Sequence, residues 1–346
     1  MKHEYLNWMA KNTPTQWCND SALTGDIDAA LASGAIGCTS NPPLTFEALT
    51  MQPELYSDGV ASIPSTEQGD DRVVELLGVV VRSIAGRLKS LHESSGKQYG
   101  YIRSQVQPKI GNDAAAMHRM GLRISAWGEN VMVKIPGTCA GMQVLEDLAA
   151  AGIPTTPTVC VSVAQILAAA EANERGIQRA IAAGKSPAAS TAALVMGRLQ
   201  DYLAVLNEER QAGLPMCDLE QAVLAVTRRC YAIMTERGYS QLLMPAAFRV
   251  AEQVAGMVGA KAHMTIHPKI QAEVIKADAE GRIARRIAVN DAIDTDLIAR
   301  VAKALPEFVQ AYEPDGLAPE EFDAFGATVM TLDSFDKNGW QKLYTL

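Results

Sequence analysis

The run Asn130-Val-Met-Val-Lys-Ile-Pro136 sets a single lysine inside an apolar stretch of strand-like composition. Side chains alternate across a strand, so Val131, Val133 and Ile135 share one face and Met132, Lys134 and Pro136 the other. If the first face packs on helices, Lys134 points inward. An amine held there loses its water, which disfavours the charged form and lowers its pKa. A neutral amine is the nucleophile that attacks a carbonyl to give a Schiff base. A structural lysine paired with a buried carboxylate has the same local pattern, and the strand alone leaves the two readings even.

Other side chains are weighed in the same way. Arg198 and Arg249 each follow an apolar run; a guanidinium fork suits phosphate, although either one alone fits a solvated salt bridge equally well. His263 and His267 flank the last apolar run, where a structural role outweighs a chemical one. Tyr202 and Tyr239 follow and precede apolar runs and could stand near a site mouth. Asp26 and Asp28 read as a solvated first helical turn. Gly184-Lys-Ser186 lacks the upstream glycine of a phosphate-binding loop, so nucleotide binding is rejected. The six cysteines show no CxxC pair and no histidine at zinc spacing; they read as buried, reduced thiols.

The elements that would position these residues alternate along the chain. Short apolar runs recur at Gln16–Asp20, Ile36–Thr39, Tyr101–Val106, Asn130–Pro136, Thr155–Val161, Ala192–Met196, Leu242–Phe248 and Ala262–Ile266. Helical stretches such as Asp71–Ser94, Asp113–Trp127, Gly141–Ala151 and Ser162–Arg175 lie between them. Eight strands alternating with helices predict a parallel α/β sheet closed as a (β/α)8 TIM barrel. Thr138 and Ser162 are placed as helix N-caps and Gly152 as a helix stop. Gly184–Pro187 and Asn207–Met216 read as connections. Beyond Asp294 the chain reads as helical, broken at Pro314–Pro319. Residues 1–346 are expected to form one barrel domain with a helical C-terminal extension.

Composition narrows the function. The chain has 346 residues, 48% of them hydrophobic, and a formal net charge of -8. The negative balance argues against nucleic-acid and polybasic membrane roles. There is no apolar run of about 18 residues. Met1–Ala10 carries Lys2, His3 and Glu4 rather than an apolar signal core. A cytoplasmic protein with small partners is expected.

Ordered motifs then carry a family resemblance. The chain reads Cys38-Thr-Ser-Asn-Pro-Pro-Leu44, Val133-Lys-Ile-Pro-Gly-Thr-Cys-Ala-Gly141, Gly152-Ile-Pro-Thr155 and Val161-Ser-Val-Ala-Gln165. Met196-Gly-Arg198, Ala247-Phe-Arg249, Met264-Thr-Ile-His-Pro268, Glu321-Phe-Asp-Ala-Phe-Gly326 and Thr331-Leu-Asp-Ser-Phe335 follow. In that order these resemble the signatures of the transaldolase family, over roughly residues 15 to 346. The resemblance implies imine formation at Lys134 with a ketose, without metal or organic cofactor, and transfer of a dihydroxyacetone unit between sugar phosphates. It implies Asn41 as a hydrogen-bonding partner of substrate and Arg198 and Arg249 as phosphate ligands. The family's strand-one carboxylate corresponds to Asp20, in Asp20-Ser-Ala22; counting back from Asn41 gives Asn19 instead.

Three positions depart from that pattern. Gln105 stands where the family has glutamate, Thr156 where it has asparagine two residues before Thr158, and Ala193 where it has serine. All three resemble the fructose-6-phosphate aldolase branch, but Val195 replaces that branch's tyrosine. An amide exchanges hydrogen bonds, not protons, so proton transfer is expected to rest on Asp20, or on a water held by Gln105 and Thr158. A fructose-6-phosphate-aldolase-like lyase and an altered sugar-phosphate-binding barrel remain as alternatives, and homo-oligomerisation is left open.

Overall fold

A computed structural model describes residues 3–346; Met1 and Lys2, part of the N-terminal segment considered above, lie outside the described residues. Eight strands alternate with helices: β1 (Gln16–Asn19), β2 (Gly37–Thr39), β3 (Tyr101–Gln105), β4 (Val131–Pro136), β5 (Thr155–Thr158), β6 (Thr191–Val195), β7 (Leu242–Ala246) and β8 (His263–Ile266). All recorded strand pairings are parallel. One large hydrophobic cluster runs from Tyr5 to Leu343 between strands and helices. No described helix is long and apolar enough to cross a membrane.

The predicted closed barrel is corrected at two seams. Six strands make one sheet, in the order β5-β4-β3-β2-β1-β8, and β6 and β7 make a second. Only the isolated bridges Thr155↔Ser190 and Cys160↔Leu194 join β5 to the neighbourhood of β6. β7 and β8 lie side by side, with no ladder between them. The backbone supplies the reason. Pro157 and Pro245 have no N–H to donate. Val159 and Ala247 have φ of 58° and 60°, in the left-handed region that ends an extended strand. β5 therefore stops before the expected Val161, and β7 before the expected Phe248.

The helix punctuation follows local chemistry. Thr138 Oγ1 accepts from Gly141 N at 3.0 Å, and Ser162 Oγ accepts from Gln165 N at 3.2 Å, each satisfying an orphan N–H of the first turn. Gly152 stops the helix Cys139–Ala150 with φ of 78°. The helix after β5 runs Val163–Ala182, beyond the expected Arg175. Past Asp294 come the helices Thr295–Ala304, Pro306–Tyr312 and Gly326–Phe335. Cys139 and Cys217 are exposed, which corrects the expectation that all six thiols are buried; all six are free.

Candidate active site

Strand alternation carries Asp20, Thr39, Lys134, Thr156, Thr158, Ala193, Val195, Met244, Ala246 and Thr265 to one pocket at the C-terminal ends of the strands, with Asn41, Arg198 and Phe335 on its wall. In parallel α/β folds, this is the end where strand-to-helix loops gather functional groups.

Lys134 is 6% exposed, and its Nζ donates to Ser40 O at 3.0 Å. Burial pushes its pKa down from 10.5 to about 8; Asp20 opposes that shift and the Arg103 guanidinium adds to it. Asp20, directly after β1, accepts a hydrogen bond on Oδ1 from Thr39 Oγ1 at 2.6 Å. Thr39 Oγ1 also lies 2.6 Å from Thr265 Oγ1. A hydroxyl has one proton to give, so with Asp20 ionised the relay runs from Thr265 to Thr39 to Asp20. Asn19 faces the other way: Nδ2 donates to Ser21 O, and Oδ1 accepts from Gln271.

The remaining candidates divide. Asn41 Oδ1 accepts from Leu44 N at 3.0 Å, capping the helix Pro42–Met51, so its Nδ2 is the group it can offer to the pocket. Thr156 Oγ1 lies 3.2 Å from Thr191 Oγ1. Gln105 is in register with Lys134 on the adjoining strand. Its side chain is 1% exposed, with neither amide atom partnered among the described residues, and it is not on the pocket lining.

Arg198 sits 5.4 Å over the Phe335 ring, with Nη1 3.5 Å from Ser334 Oγ and no carboxylate partner among the described residues. Burial and the neighbouring Arg249 lower its pKa; a guanidinium nonetheless stays charged. Arg249 is not on the lining: it grips Asp201 through Nε at 3.0 Å and Nη2 at 2.5 Å, and donates to Ala247 O at 2.8 Å. Gly197 permits this approach, because a Cβ there would fall 1.9 Å from Ala247 O.

The weaker candidates lie outside the pocket. Tyr239 bonds Glu171 and Arg237 on the surface, and Tyr202 packs edge-on against Phe325; neither lines the pocket. His267 caps the helix Pro268–Ala279. Asp28 pairs with exposed Arg87, whereas Asp26 accepts from Ser21 Oγ at 2.7 Å. Thr39, Thr265 and Phe335 were missed. The threonines follow from inward parity on β2 and β8, but their contact spans 226 residues. Among the described residues no group of three or more His, Cys, Asp or Glu is arranged to hold a metal ion. Together the pocket holds a buried amine, a carboxylate fed by two hydroxyls, and an unpaired guanidinium.

Residues 17–323 match the sequence model of a family described as Transaldolase/Fructose-6-phosphate aldolase. A transaldolase of Neisseria meningitidis is 34% identical over 168 residues, covering 48% of each chain. One of Neisseria gonorrhoeae is 31% identical over 204 residues, covering 58% of each. The chain thus spans about half the length of these curated relatives. A Xanthomonas oryzae transaldolase is 27% identical over 303 residues, 82% of this chain and 85% of the other.

Proposed function

Because the chain belongs to the transaldolase/fructose-6-phosphate aldolase family, we propose that it is a transaldolase-like transferase working through a Schiff base at Lys134. The observation that carries this reading is the buried Lys134 amine, held near a pKa of 8 in the same pocket as Asp20. Lys134 attacks the carbonyl of a ketose phosphate, and loss of water leaves the imine. Asp20 takes the hydroxyl proton as the C–C bond breaks, and the retained dihydroxyacetone unit passes to an acceptor aldehyde. Thr265 and Thr39 keep the Asp20 carboxylate oriented for that proton. Asn41 Nδ2, Thr156 and Thr158 offer hydrogen bonds to sugar hydroxyls, and the unsatisfied amide of Gln105 holds a water beside the imine. None of these steps calls for a metal or organic cofactor.

The eight strands are read as one (β/α)8 barrel domain whose ladder is interrupted at two seams. Cytoplasmic location and sugar-phosphate partners accompany the family reading, and the net charge of -8 disfavours nucleic acid. Hydrolytic release of the three-carbon unit, as in a fructose-6-phosphate aldolase, is the second reading, favoured by Gln105 in place of a carboxylate.

Incubation with fructose 6-phosphate or dihydroxyacetone, followed by borohydride, is expected to leave one reduced adduct on Lys134 by peptide mass spectrometry. An adduct on another lysine, or none with either ketose, overturns the proposal. Arg198 is assigned the sugar phosphate, with Arg249 behind it. Losing a charge-assisted hydrogen bond costs about 1.5–3 kcal/mol. Arg198→Ala is therefore expected to raise KM for phosphorylated ketoses roughly ten- to a hundredfold, with little change for unphosphorylated ones. Arg249→Ala, already paired with Asp201, should raise it less. Equal losses on both substrate types would remove Arg198 from the phosphate site.

A further inference from the structure

A second cavity, of about 1190 Å³, opens at the other end of the strands. Its lining is made of strand starts, including Gln16, Tyr101, Thr191, Leu242 and His263, and of the loops before them. This end is opposite the pocket of Lys134. Within the barrel Cys18, Ala193 and Met244 cluster in a small apolar layer.

Arg103 forms part of this cavity's wall. It points inward from β3 and is 2% exposed. Its Nε donates to Thr191 Oγ1 at 3.3 Å and its Nη1 to Cys18 Sγ at 3.6 Å. A guanidinium carries five N–H groups, and no carboxylate meets any of them among the described residues. Burying an unpaired charge is costly, and folded proteins pair such groups or hydrogen-bond them fully. The other charged residues on the lining are Lys97, Glu129 and Lys261. Glu129 is bound to Lys97 at 2.8 Å, so the cavity carries a net positive balance. His263 adds a buried Nδ1 without a partner. Its pKa is pushed down to about 3 by burial and by Arg103, so it is a neutral hydrogen-bonding group there.

We propose that this N-terminal cavity is a second ligand site, taking a small organic anion whose carboxylate or phosphate seats on the Arg103 guanidinium beside His263. The fork of Arg103 matches a planar or tetrahedral oxyanion. The Tyr99 and Tyr101 rings and the Gln16 and Gln241 amides give the body of the molecule both apolar faces and hydrogen-bonding edges. Arg103 also helps to lower the Lys134 pKa, but none of these groups lines the Lys134 pocket.

The test is calorimetric titration of the whole protein with inorganic phosphate and, separately, with acetate; the tighter of the two names the headgroup. Binding is expected to survive Arg198→Ala, which removes the unpaired guanidinium of the other pocket. It is expected to weaken roughly ten- to a hundredfold in Arg103→Gln, the loss of a charge-assisted contact. Binding that is lost in Arg198→Ala, unchanged in Arg103→Gln, or undetectable for both anions overturns the proposal. If Arg103→Gln does not fold, wild-type crystals soaked in bromide decide the matter. An anomalous peak against the Arg103 guanidinium supports the site, and its absence overturns it.

Discussion

Lys134→Met is expected to reduce ketose turnover by on the order of 10⁶-fold, the scale of loss when a covalent nucleophile is removed. Methionine keeps the length and volume of the side chain in the buried strand, so the loss reports chemistry rather than folding. The wild-type protein supplies a companion measurement. With a pKa of about 8, roughly one amine in ten is neutral at pH 7, against about one in three thousand for an ordinary lysine. Only the neutral amine attacks. Imine formation in single-turnover trapping should therefore climb with pH through about 8 and level off above it. A methionine variant retaining turnover, or a profile that falls as pH rises through 8, would remove Lys134 from the nucleophile's role.

Asp20→Asn should cost about 10²–10⁴-fold in kcat, the worth of a positioned acid or base. It should nevertheless still yield the borohydride adduct. Asp20 holds the Lys134 pKa up against burial, so removing its charge leaves more of the amine neutral. Imine formation and C–C cleavage thus separate in this variant: the first persists and the second fails. Gln105→Ala, which removes a hydrogen-bonding amide rather than a proton acceptor, should lose less than Asp20→Asn in the same assay. The reverse order would mean that Asp20 is not the base.

Much of this was legible because strands have a period of two. Inward parity on β4 singled out Lys134, and its neighbours Met132 and Val133 told interior from exterior. The strand boundaries failed where backbone conformation, not composition, decides them. Val159 and Ala247 look like ordinary strand residues, but their positive φ ends β5 and β7. The family resemblance makes Arg249 a phosphate ligand, yet its partner Asp201 lies 48 residues earlier on another element. Pairings of that kind leave no local pattern. The Thr265–Thr39–Asp20 relay was hidden for the same reason. Arg103 carries no signal in the sequence, since nothing nearby says that its charge is buried alone.

The two seams have a mechanical consequence. Lys134, Asp20, Thr39, Thr156, Thr158 and Thr265 stand on or directly after strands of the six-stranded sheet. Arg198 and Arg249 follow β6 and β7, the separate pair. Within each sheet, displacement must break ladder hydrogen bonds. Between β7 and β8 it breaks none, and near β5 it meets two isolated bridges. Ladder hydrogen bonds therefore oppose a slide of the β6–β7 pair past the six-stranded sheet less than they oppose displacement within either sheet. Such a slide changes the reach from the amine to the guanidiniums while leaving the spacing of amine, carboxylate and hydroxyls intact.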